Sequence, residues 1–67
     1  MSLAVSIVQH EEHDHPVWYL HYSYARSLPG APARGPYHSR LDAEEALHHL
    51  REAAHMYGEF EFSVLPA

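Results

Sequence analysis

The residues of this chain best equipped for chemistry are eight histidines set among nine carboxylates in only 67 positions. Two groupings stand out. His10-Glu11-Glu12-His13-Asp14-His15 places imidazoles and carboxylates side by side, the donor types that zinc, nickel and copper take. A polar turn fixes no ligand geometry by itself, so the plain reading of this run is a solvated connection. The second grouping, Glu45, His48, Glu52 and His55, makes two Glu-x-x-His pairs one heptad apart. At about 100° per residue the four side chains fall within a helical stripe ~80° wide. Such a pair on each of two facing helices can hold a dinuclear metal centre. One chain supplies one helix, so the shell would need a second copy. Otherwise the stripe is a wet helix face, laced by Glu–His contacts worth a few tenths of a kcal/mol each. His49 stands beside it.

Other chemistries find little support. The chain has no Cys, hence no disulfide framework, thiolate metal site or Cys nucleophile. No G-x-S-x-G, H-E-x-x-H, phosphate-binding loop or dinucleotide fingerprint is present. His38 and Ser39 are neighbours, but Ser39 is better placed as a helix cap. The reading is of a non-enzyme that needs no cofactor. Nine acids against four Arg and no Lys give a net charge of −5 with histidine neutral. That balance argues against direct nucleic-acid binding through phosphates, although Trp18, Tyr19, Tyr22 and Tyr24 could stack bases. The reverse role fits the charge better. Glu11, Glu12 and Asp14, with Glu44, Glu45 and Glu52, form an acidic surface that could imitate nucleic acid in a basic groove. No apolar run is long enough to span a bilayer and no basic-then-apolar leader is seen, so a cytoplasmic chain is expected.

The elements that must position these groups follow from hydrophobic period. Leu3, Val5 and Ile7 alternate with small or polar residues, which predicts a strand over 3–11. Glu11 to His15 read as a turn closed by Pro16. A second strand is expected over 17–26, with Trp18, Leu20, Tyr22 and Tyr24 inward and Val17, Tyr19, His21 and Ser23 outward. Five Pro and Gly between 27 and 39 make a loop. Ser39 then caps a helix over 40–57, with Asp42 three residues on. Ala43, Ala46, Leu47, Leu50, Ala53, Ala54 and Tyr57 supply its apolar stripe. Gly58 stands where a left-handed residue ends a helix. Phe60, Phe62 and Val64 face inward on a third strand over 59–65. The expectation is a single α+β domain of ββαβ order: a three-stranded antiparallel sheet, first strand central, with the helix on one face.

The segment Arg34-Gly35-Pro36-Tyr37-His38-Ser39-Arg40-Leu41-Asp42-Ala43-Glu44-Glu45-Ala46 resembles the Gly-Pro-aromatic-x-Ser-Arg-x-x-Ala lead into the helix of SPOR domains. The resemblance spans residues 34–64, one half-repeat of that family. It implies shared turn-and-cap chemistry, with Pro36 and Ser39 setting the helix entry. Glycan-strand binding, the family's activity, is implied only as a remote alternative, because the other half-repeat is replaced by a hairpin.

A chain this short buries only about 60% of the surface its unfolded form exposes, so its stability is marginal without help. One helix covers one sheet face, and the other presents Val8, Val17 and Tyr19. The function expected is therefore protein interaction, as a homodimer or with a protein partner. The expected surface is the uncovered face (Val17, Tyr19, His21) or the acidic helix (Glu44, Glu45, Glu52) with the turn. Protonating all eight histidines moves the formal charge from −5 to +3 (eight added to −5), and unperturbed histidine titrates near pH 6.5. Solubility and self-association should therefore change strongly between about pH 7.5 and 5.5. Sedimentation profiles unchanged across that window would contradict this.

Overall fold

The computed structural model of the protein describes residues 2–23, 28–58 and 61–66. Four elements follow one another: β1 (Ser2–Glu12), β2 (His15–His21), α1 (Arg40–Tyr57) and β3 (Glu61–Val64). The order is ββαβ in an α+β fold, and β1 is the central strand of the sheet β2-β1-β3. The expected strand residues 24–26, 59 and 60 lie outside the described residues, with them Tyr24 and Phe60.

β1 and β2 form an antiparallel hairpin in the register Ile7↔Leu20, Val8↔Tyr19, His10↔Val17 and Glu12↔His15. Its turn is tighter than the polar run suggests. Only His13 and Asp14 leave the ladder, at φ 53° and 64°, the left-handed pair that a two-residue hairpin turn matching strand twist requires. Pro16 sits inside β2 rather than before it. This costs nothing on the β1 side. The N–H groups of Trp18 and Leu20 point away from β1, and by alternation so does the nitrogen of Pro16.

The sheet is mixed, which corrects the expectation of an all-antiparallel one. β3 runs parallel to β1, in the register Leu3↔Phe62 and Val5↔Val64. The cause lies in the loop. β2 ends level with Ser6, yet the chain then doubles back along the outer edge of β2. There Leu20 donates to the Arg34 carbonyl (2.8 Å), and Trp18 and Tyr37 exchange both backbone bonds (2.9 and 2.8 Å). The helix therefore starts near the hairpin end and descends toward Leu3, so β3 must climb beside β1. Ser39 caps it as expected, its Oγ accepting from the Asp42 N–H at 3.0 Å. Gly58 is extended rather than left-handed (φ −179°), and its N–H still bonds the Ala54 carbonyl.

The core is apolar throughout: Leu3, Val5, Ile7, Leu20, Leu28, Ala43, Ala46, Leu50 and Ala54, flanked by half-buried Trp18, Tyr22, Tyr37, Leu47 and Phe62. Alanines at Ala43, Ala46 and Ala54 let the helix approach the sheet closely. α1 packs over β2 and β1 rather than over β3. Hence Val64, expected inside, is 46% exposed, and Tyr57, beyond the last core turn, is 53% exposed. Beyond Ile7 the hairpin extends past the core, its residues Gln9 to Pro16 all exposed.

The turn offers a direct test. Asp14→Gly relieves a left-handed residue that pays for its Cβ, and should stabilise the fold by about 0.5–1 kcal/mol. In a domain of this size that is a rise of a few degrees in Tm. An unchanged or lowered denaturation midpoint would mean the turn is not of this type.

Candidate interaction surface

The sheet face opposite α1 is built by alternation. Ala4, Ser6, Val8, His10 and Glu12 of β1 point to it, with Val17, Tyr19 and His21 of β2, and Leu65 beyond the end of β3. At its centre is an open depression of about 350 Å³, lined by Val8, His10, Glu12, Tyr19, Leu20, His21 and Arg34. Val8 and Tyr19 are half-buried, and His10, Glu12, His21 and Arg34 are exposed around them.

Tyr19 is the organising side chain. Its hydroxyl donates to the Glu12 carboxylate, and the His10 ring meets its ring edge-on, centroids 5.4 Å apart and planes at 83°. Its backbone is pressed by Gly35, where φ is +137° and a Cβ would lie 2.8 Å from the Trp18 carbonyl and 2.9 Å from Tyr19 Cδ1. Glycine is required there on both counts. At the other end of the depression Arg34 donates to the Tyr22 carbonyl and lies 3.8 Å over the Tyr22 ring. A permanent cation thus stands at one end, a carboxylate at the other, and an apolar floor between. The bond to Glu12, burial and the Glu12 charge raise the Tyr19 pKa above 10.0. Burial, then Tyr22, raises that of Tyr37.

The expected site residues divide. Tyr19 and His21 are on this face as anticipated. Val17 is on it too, but only 4% exposed, so it serves as support and not as a contact. Its neighbours explain this: His10 opposes it in register, and the Tyr19 side chain leans toward Glu12 at the hairpin end. Glu44, Glu45 and Glu52 lie exposed on α1, on the far side of the molecule, with Glu44 held by Arg40 at 3.3 Å. Among Glu45, His48, Glu52 and His55 the structure shows one contact, His48 Nε2 to Glu52 Oε1 at 2.9 Å. Among the described residues no group of three or more His, Asp or Glu is close enough to hold a metal ion. Two residues central to the face, Arg34 and Gly35, read in the sequence only as loop. A glycine beside a proline in such a loop was the available sign of close backbone approach.

Comparison with protein-family models, with curated proteins and with solved structures finds no match to this chain. No helix among the described residues is long and apolar enough to cross a membrane.

The Tyr19–Glu12 contact sets a pH dependence. Neutral Tyr19 is held more tightly in the fold than in the unfolded chain, so its contribution is whole below pH 10. It is lost as pH rises through the raised value. Glu12→Ala should bring the Tyr19 midpoint down toward 10, read from tyrosine ring-carbon NMR shifts. A midpoint that does not move would show the contact to be absent in solution.

Proposed function

We propose that this protein is a small non-enzymatic interaction domain whose docking surface is the uncovered sheet face around Tyr19. The observation that carries this reading is the depression itself: Val8 and Tyr19 as floor, with Glu12 and Arg34 at opposite ends. A complementary protein segment lays an apolar side chain over Val8, a carboxylate toward Arg34 and a base toward Glu12. The two charges then fix its direction, the part that electrostatic complementarity plays at interfaces more than raw affinity. Tyr19 is the anchor, an aromatic with a polar tip already oriented by Glu12 and His10 and therefore cheap to order. The partner is a protein. The depression is open and rimmed by exposed charged side chains, which favours a protein segment laid across it over an enclosed small molecule.

A photo-cross-linking residue placed at position 21, in cells producing the full chain, tests the reading against the acidic helix. Adducts heavier than a self-adduct should form from position 21 and not from position 45, and Tyr19→Glu should abolish them. Adducts arising equally from both positions, or only from 45, would overturn it. So would self-adducts alone.

A further inference from the structure

The two outer edges of the sheet are treated differently. That of β2 is closed by the chain itself, through the bonds of Trp18 and Leu20 to Tyr37 and Arg34. That of β3 is not covered by any described residue. Its polarity follows from one bond: Leu65 donates to the Val5 carbonyl at 2.8 Å. In the parallel ladder, Glu61, Ser63 and Leu65 then turn their backbone groups to β1, while Phe62 and Val64 turn theirs outward. The next outward residue is Pro66, which has no N–H to offer. At this same edge stand two large apolar side chains left half exposed, Val64 at 46% and Leu65 at 49%.

We infer that β3 pairs antiparallel with β3 of a second copy, about a two-fold axis at Ser63. This register is self-complementary. Phe62 of each copy opposes Val64 of the other, and each pair exchanges both outward-facing hydrogen bonds. On the helix side, each Val64 is covered by the partner's Phe62. On the other side, Glu61, the only charged residue of the strand, opposes Leu65 of the second copy, and the two Ser63 hydroxyls meet on the axis. No like charges are placed opposite each other, which matters for a chain of net charge −5. The pairing joins two sheets into one of six strands, with both helices on one side. The Tyr19 faces of both copies become one continuous surface.

The contact is small. Four residues per strand bury well under the roughly 1,200 Å² of a standard stable interface, so the dimer is a weak, reversible one with Kd of about 10⁻⁴ M. Sedimentation of the full chain up to about 1 mM should show a monomer–dimer equilibrium. Amide exchange at Phe62 and Val64 should slow at least several-fold across that range, with Gln9, on the open edge of β1, unaffected. Val64→Pro removes an outward N–H and leaves the β1 bonds in place; it should yield a folded monomer at every concentration, while Val64→Thr should still dimerise. A monomer at the highest concentration overturns the inference. So does a dimer in which Phe62 and Val64 exchange is unchanged, or protection of these amides only when another protein is added. None of these results bears on cross-linking from position 21, so the two proposals fail separately.

Discussion

The exchange of backbone bonds between Trp18 and Tyr37 is the constraint on which the rest of this fold depends. It pins the returning loop high on the outer edge of β2, close to the hairpin arm. Two residues later Ser39 stops the extended chain and starts the helix. A helix begun there can only descend toward the start of β1, so the strand after it climbs, and the sheet becomes mixed. The same pairing seals one sheet edge and brings Gly35 against Tyr19. It also leads Leu28, on the way up, into the core at 4% exposure. Strand direction, edge protection and the setting of Tyr19 are thus consequences of one local contact.

The helix entry also decides what stays uncovered. Eighteen residues of α1 span about 27 Å, enough to cover β1 and β2 from Leu3 to Ile7 but leaving β3 at the margin. Close approach depends on small residues: Ala43, Ala46 and Ala54 allow the Leu50 side chain to reach the sheet with no exposure at all. The result is an apolar interior, with no buried polar or charged side chain among the described residues. All eight histidines therefore lie on the surface. Their number is a property of the surface and not of any buried network.

Much of the framework was legible in the sequence, and the reasons are specific. The helix bounds followed from Ser39, the Asp42 spacing and the alanine–leucine stripe, all local signals. The central place of β1 followed from its apolar stretch, Leu3 to Val8. What could not be read depends on where the loop travels. Nothing in residues 28–37 states that they return along β2, so β3 was expected antiparallel, and Val64 and Tyr57 were expected inside. The hairpin was expected, but the tightness of its turn was hidden, because His13-Asp14 is an unusual pair for left-handed backbone and because Pro16 suggested a boundary. Proline breaks a ladder only where its nitrogen faces the neighbour, and in β2 it faces away. The uncovered face was anticipated through Tyr19 and His21. Its exact make-up was not, since Arg34 and Gly35 reach it from the loop.

Among the described residues three parts of this sheet stay open, and they differ in what they can accept. Past Val5 the free edge of β1 is presented by Ile7, Gln9 and Glu11, and it leads into a tip carrying Glu11, Glu12 and Asp14. Charges of one sign on an edge repel an added strand, which is how natural sheets keep such edges single. The β3 edge is uncharged at its outward residues, but it is two residues long before Pro66 ends it, so it can support only a weak, short pairing. The Tyr19 face lacks both restrictions. It is broad, its apolar centre is rimmed by opposite charges, and its key ring is already held by Glu12 and His10. Ordering cost is lowest there and the polarity most directional. For these reasons the docking surface we propose is the face and neither edge.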